Sequence, residues 1–154
     1  MVDVVDPATR SRMMSGIKGK DTKPELIIRK ALFRQGFRYT LHNKLLPGKP
    51  DLVLKKYQAV IFINGCFWHG HDCKLFKWPQ TRKKFWKNKI QGNRKRDIKV
   101  RKELSEQGWR ILTIWECATK GKEKISLDEI ITKAISWLRS TDNDLEIRGN
   151  SIKA

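Results

Sequence analysis

The chain has 154 residues, 39% of them hydrophobic, with 34 Lys and Arg against 16 Asp and Glu, a formal charge of +18. Length and apolar content fit one domain with a core, and no apolar run nears the roughly 20 residues of a membrane span. The charge points to a polyanion, most often nucleic acid, over a neutral or acidic partner.

Residues 1–21 read as a basic arm, with Arg10, Arg12, Lys18 and Lys20 available to a nucleic-acid backbone. The first seven residues lack a basic stretch followed by an apolar one, so no signal peptide is expected. Thiols without a disulfide framework fit the cytosol, and a cytoplasmic protein is expected.

Thr22-Lys23-Pro24-Glu25 is a capping box with proline in the first turn, and it opens a helix. Leu26, Ile27, Ala31 and Leu32 form its expected apolar face, and Gly36 ends it. Capping alone would account for Glu25. Residues 37–41 alternate like a strand, and His42 after it reads as an isolated surface histidine. Pro47-Gly48-Lys49-Pro50 turns the chain into a strand opened by Asp51, and Ala59 to Ile63 returns antiparallel to it.

That strand runs into Gly65-Cys66-Phe67-Trp68-His69-Gly70-His71-Asp72-Cys73. Cys66, His71 and Cys73, with Cys117 beyond a later strand, would complete a closed Cys3His site for zinc. The competing reading is three reduced cysteines buried as small hydrophobes. Four protein ligands leave no open position, so this zinc would be structural, and His69 is left free for chemistry.

Residues 81–107 form the longest expected helix. Its basic side carries Lys83, Lys87 and Lys89, and its inward stripe runs Trp86, Ile90, Asn93, Asp97, Val100, Leu104. Asn93 and Asp97 either face the His69 loop, where a buried polar group finds a partner, or are solvated by a small rotation of the stripe. Trp109 to Trp115 is a further strand. Ser126-Leu127-Asp128-Glu129 caps a last helix, and residues 140–154 read as a polar tail after a main domain at 22–139. The order of elements predicts an α/β or α+β sheet flanked by helices.

A carboxylate at a strand mouth, a spare histidine and a polyanionic partner suggest metal-assisted phosphodiester hydrolysis. Asp51 would supply an oxygen ligand to Mg2+, and His69 would act as general acid or base. Phe67, Trp68 and Trp86 are candidates to stack on bases or wedge between them.

Asp21-Thr22-Lys23-Pro24-Glu25, Leu46 to Asp51, the Gly65 to Cys73 loop, Phe85-Trp86, Gly92-Asn93, Arg96-Asp97 and Trp115-Glu116-Cys117 together resemble the very-short-patch repair (Vsr) DNA mismatch endonucleases. The resemblance runs from about Thr9 to Leu138. It implies a restriction-endonuclease-like fold with a central mixed sheet and a structural zinc. It also implies a Mg2+-dependent nick in one strand at a T:G mismatch left by 5-methylcytosine deamination. Residues 22–139 would then be the endonuclease domain, and a one-strand nick needs only a monomer.

Carried over by residue, Asp51 and the backbone carbonyl of Ile63 would hold Mg2+. His69 would be the catalytic histidine, with Glu25 an auxiliary acid and Asn64, Asn93 and Asp97 in support. Cys66, His71, Cys73 and Cys117 would hold zinc, and Phe67, Trp68 and Trp86 would form the wedge. Two positions depart from the family pattern: Ile63 stands where a Thr assists the metal, and Asn64 where a His lies near the phosphate. The rival reading is a non-catalytic zinc-bearing nucleic-acid-binding module, which predicts binding without metal-dependent cleavage.

Overall fold

The structure is a computed structural model and describes residues 22–150. The expected arm at 1–21, with Arg10, Arg12, Lys18 and Lys20, lies outside the described residues.

Helix α1 spans Lys23–Arg34, and the Thr22 hydroxyl accepts the Glu25 N–H at 3.4 Å as its cap. Its inward stripe is Glu25, Ile28 and Leu32, while Ile27 is 42% exposed. The expected face, built on Leu26 and Ile27, is therefore rotated. The cause is Glu25, a charged residue that turns inward and carries Ile28 with it. The extended stretch at 37–41 pairs only as β1, Thr40–Leu41, because Phe37 is drawn into the core instead.

Strands β2 (Leu52–Leu54) and β3 (Ala59–Asn64) are joined by a single turn of 3-10 helix, Lys55–Tyr57. Helix α2 spans Lys83–Glu106 and leads to β4, Arg110–Trp115. Helix α3, Leu127–Arg139, is capped by Ser126 and leads to β5, Leu145–Ile147. Residues 145–147 thus form an edge strand within the stretch that composition alone assigns to a polar tail. Alternation over three residues is too short a signal to stand out there.

The five strands lie in the order β1-β2-β3-β4-β5. β1, β2 and β3 pair antiparallel, and β3, β4 and β5 pair parallel, with α2 and α3 as the two crossovers. Side chains alternate across the strands. Leu52, Leu54, Ile61, Leu112 and Ile114 pack against Ile28 and Leu32 of α1 and Ile130, Ala134 and Leu138 of α3. Val53, Val60 and Ile111 face the other way, onto Leu104 of α2. The sheet is covered on both faces, which is why its central strands read as continuous apolar runs. Together the elements make a mixed α/β sheet flanked by helices, and its functional side chains gather where β2, β3 and β4 meet their loops.

Candidate active site and metal centre

At the end of β3 the chain enters the cysteine loop, and at the end of β4 it enters a 3-10 turn, Glu116–Ala118. Parallel pairing puts Asn64 beside Trp115, so Cys66 and Cys117 emerge side by side. The donor atoms of Cys66, His71, Cys73 and Cys117 all lie within 4.8 Å of one another. His71 Nδ1 is 3.5 Å from Cys66 Sγ and 3.7 Å from Cys117 Sγ. The cluster could hold a metal ion.

The surroundings are built to keep those donors in place. The Trp115 ring stacks on the His71 imidazole, with centroids 3.9 Å apart and planes 8° from parallel. The Cys117 N–H points at Cys66 Sγ and the Gly149 N–H at Cys117 Sγ, each at 3.3 Å. Burial pushes the Cys66 and Cys117 thiols up, the backbone N–H on each sulfur opposes it, and Cys73 adds to both. Burial also lowers His71, which favours the neutral ring that a metal needs. Three thiols closed together in a dry site cannot all ionise without a cation to offset their charge.

The second gathering is at the mouth of β2. Asp51 Oδ2 accepts the Ile63 N–H at 2.7 Å. Burial, with Glu25 close by, pushes the Asp51 carboxyl up to about 7, against the opposing pull of that N–H. Glu25 Oε2 accepts from Arg29 at 2.8 Å and from His42 Nε2 at 2.9 Å. Glu25, His42 and Asp51 bring their donor atoms within 4.8 Å of one another.

His42 is thus no isolated surface residue. The register Thr40↔Val53, Leu41↔Leu52 carries on to set it opposite Asp51, whose carbonyl accepts the His42 N–H at 3.1 Å. A hairpin drawn through residues 40–53 is the signal that finds it in the sequence. Arg29, one helical turn after Glu25, is the other neighbour that sequence reasoning passes over.

The third gathering lies across the cleft. His69 Nδ1 stands 2.6 Å from Asp97 Oδ2. An ionised carboxylate can only accept, so the pair keeps a proton on Nδ1 and leaves Nε2 free. Asn93 Nδ2 donates to the Trp68 carbonyl at 2.8 Å, and Arg94 donates to the Gly70 carbonyl. Of the two placements open for Asn93 and Asp97, the structure takes the one facing the His69 loop. Gly70 is required there: its φ is +58°, and a Cβ would come within 2.6 Å of Ile90 and Arg94 side-chain atoms.

A cleft of about 940 Å³ runs between Asp51 and the His69–Asp97 pair, lined also by Ile63, Asn64, Asn93, Phe67 and Trp68. Trp86 is buried behind the two rings, 5.4 Å from Phe67 and 5.9 Å from Trp68 between centroids. Lys83, Lys87 and Lys89 are exposed on α2.

A family model described as DNA mismatch endonuclease Vsr matches residues 2–75. The DNA mismatch endonuclease Vsr of Escherichia coli is 45% identical over 139 residues, covering 90% of this chain and 88% of that protein. The type II nicking enzyme V.NmeAIP of Neisseria meningitidis is 47% identical over 122 residues, 79% of this chain and 87% of its own length. V.XorIIP of Xanthomonas oryzae, another type II nicking enzyme, is 40% identical over 117 residues, 76% and 86%. These similarities, with the cleft just described, put the chain among the strand-nicking DNA endonucleases. It belongs to the Vsr family of DNA mismatch endonucleases.

Proposed function

We propose that the protein nicks one strand of double-stranded DNA at T:G mismatches left by 5-methylcytosine deamination, by Mg2+-dependent phosphodiester hydrolysis. The observation that carries this reading is one cleft lined by Asp51, which belongs to a cluster with Glu25 and His42, and by the His69–Asp97 pair. The donor sets fit two different metals. Three thiols and an imidazole suit zinc in a structural role at Cys66, His71, Cys73 and Cys117. Asp51 offers the oxygen a hard cation prefers. The two backbone groups of a strand residue point to the same neighbour, so the N–H that Ile63 gives to Asp51 supports its carbonyl as a second Mg2+ ligand. An ion held by Asp51 and that carbonyl would supply Lewis acidity and charge neutralisation at the scissile phosphate.

The remaining work falls to the side chains. His69 Nε2 takes a proton from the attacking water or delivers one to the leaving oxygen, and Asp97 holds the ring in the tautomer and orientation that permit it. Asn93 and Arg94 pin the backbone on both sides of His69, so the imidazole is ordered before DNA binds. Asn64 lines the cleft and hydrogen-bonds a phosphate oxygen, without the proton a histidine would bring there. Glu25, held by Arg29 and His42, acts as auxiliary acid beside Asp51. Phe67 and Trp68 present the wedge to the duplex, and Trp86 supports it from within. Lys83, Lys87 and Lys89 hold phosphates along α2, joined by Arg10, Arg12, Lys18 and Lys20 of the arm.

The restriction-endonuclease-like fold belongs with this proposal, supported by an antiparallel β2–β3 hairpin continued in parallel by β4 and β5. So do action as a monomer and a cytoplasmic location. No helix among the described residues is long and apolar enough to cross a membrane. The test is a nicking assay with Mg2+ on T:G and matched duplexes. A nick in one strand of the T:G duplex alone is expected. Binding without cleavage would select the non-catalytic module, and cutting of both strands of matched DNA would select a restriction enzyme.

A further inference from the structure

Resting on the reading of Asp51 as a cation ligand, we propose that His42 is a nitrogen donor to the same ion, and that it shifts the site toward cations that accept imidazole, such as Mn2+. Three observations lead there. His42, Glu25 and Asp51 bring their donor atoms within 4.8 Å of one another. A single ion bonded at about 2.1 Å spans ligand atoms roughly 4 Å apart, so small side-chain rotations close the cluster around it. The His42 backbone is pinned to the Asp51 carbonyl, which couples the position of the ring to that of the carboxylate. Finally, His42 has φ +47°, in the left-handed region that few side chains adopt, and its Nε2 lies 2.9 Å from Glu25 Oε2, inside the cluster.

The neighbouring charges permit the exchange. Glu25 Oε2 accepts from both Arg29 and His42. When the His42 lone pair turns to an ion, its Nε2 proton moves to Nδ1 or to solvent, and Arg29 keeps Glu25 paired. Mg2+ and Ca2+ take oxygen almost exclusively, whereas later divalent ions gain from a nitrogen ligand. Mn2+ is the useful probe, because it stands at the weak end of the transition series and leaves thiolate-bound zinc in place.

The experiment uses the full chain, loaded with zinc and stripped of other ions. Mn2+ binding is followed by electron paramagnetic resonance, with nitrogen coupling read from its spin-echo modulation, and Ca2+ binding by calorimetry. Wild-type protein should show nitrogen coupling to Mn2+, and His42→Gln should lose it. His42→Gln should also weaken Mn2+ at least about tenfold while changing Ca2+ less than about threefold. Unchanged zinc content and circular dichroism establish that the variant is folded. If His42 merely orients Glu25, wild type shows no nitrogen coupling and both ions weaken alike, which overturns the proposal while Asp51-dependent binding survives. If Asp51→Asn leaves Mn2+ binding intact, the assignment of Asp51 fails, and the proposal with it.

Discussion

Among the described residues stand two clusters of metal-type donors, and they are opposites. The Cys66–His71–Cys73–Cys117 group is soft, closed and nearly dry: Cys66, His71 and Cys117 are buried, with a tryptophan stacked on the imidazole. The Glu25–His42–Asp51 group is mostly oxygen, and Asp51 opens onto a large cleft that also holds His69. Burial on all sides suits a cluster that holds two strand ends together, because nothing needs to enter. Exposure on one side suits a cluster whose remaining coordination is filled from outside. The β3 strand connects them: Ile63 donates to Asp51, and Cys66 follows three residues on.

The largest expected effect comes from the closed cluster. Cys117→Ser should leave the protein without metal and without a cooperative unfolding transition, since a structural zinc contributes on the order of 10 kcal/mol to a small fold. Elemental analysis and circular dichroism measure this, and a folded, metal-free variant would break the contrast.

Asp51→Asn at the open cluster should do the reverse. Nicking should fall by roughly 10³-fold, the scale of several kcal/mol of charge stabilisation at a phosphate, with the fold and DNA affinity kept. Single-turnover kinetics and a binding isotherm on the same T:G duplex separate the two quantities.

Asp97→Asn tests whether the far side of the cleft belongs to the same chemistry. It should lower the single-turnover rate about 10²-fold, within the range for acid–base groups, and leave zinc content unchanged. The accompanying change is in the pH profile, since an amide no longer stabilises the imidazolium of His69. A lower rate with an unaltered profile would assign Asp97 to packing.

Between the clusters stand the rings of Phe67 and Trp68, which line the cleft and are proposed as the wedge. Trp68→Ala should cost about 1–3 kcal/mol in affinity for T:G duplex and less for C:G duplex, because the gain from unstacking is realised at the weaker pair. Equal losses on both duplexes would place Trp68 in the core.

The smallest effect is expected from Lys89→Ala, exposed on α2. It should weaken all duplexes alike and flatten the slope of log affinity against log salt by about 0.9. A salt series on matched and mismatched DNA reads both at once.

The sequence by itself determined most of the closed cluster. Four soft donors bracket one loop and one strand end, and their chemistry allows few other arrangements. The caps at Thr22 and Ser126 and the doubly covered strands β2, β3 and β4 were legible for a similar reason, since each is a pattern within one short stretch. The inward stripe of α2 was visible too, with two placements open for Asn93 and Asp97, one of them against the His69 loop. Only the packing of that helix against the 68–70 loop set Asp97 on His69 and Asn93 on the Trp68 carbonyl.

The open cluster was decided by tertiary structure. Glu25, His42 and Asp51 come from a helix, a strand end and the next strand, and each alone has an ordinary explanation as cap, surface residue or turn former. The rotation of α1 that buries Glu25 depends on Arg29 and His42 pairing with its charge, which no periodicity reports. The edge strand Leu145–Ile147 is similar: its place is set by backbone hydrogen bonds to β4, and those bonds are open to almost any side chain. Local patterns write elements and soft-metal ligands into sequence, whereas charge pairs between distant segments exist only once the segments meet.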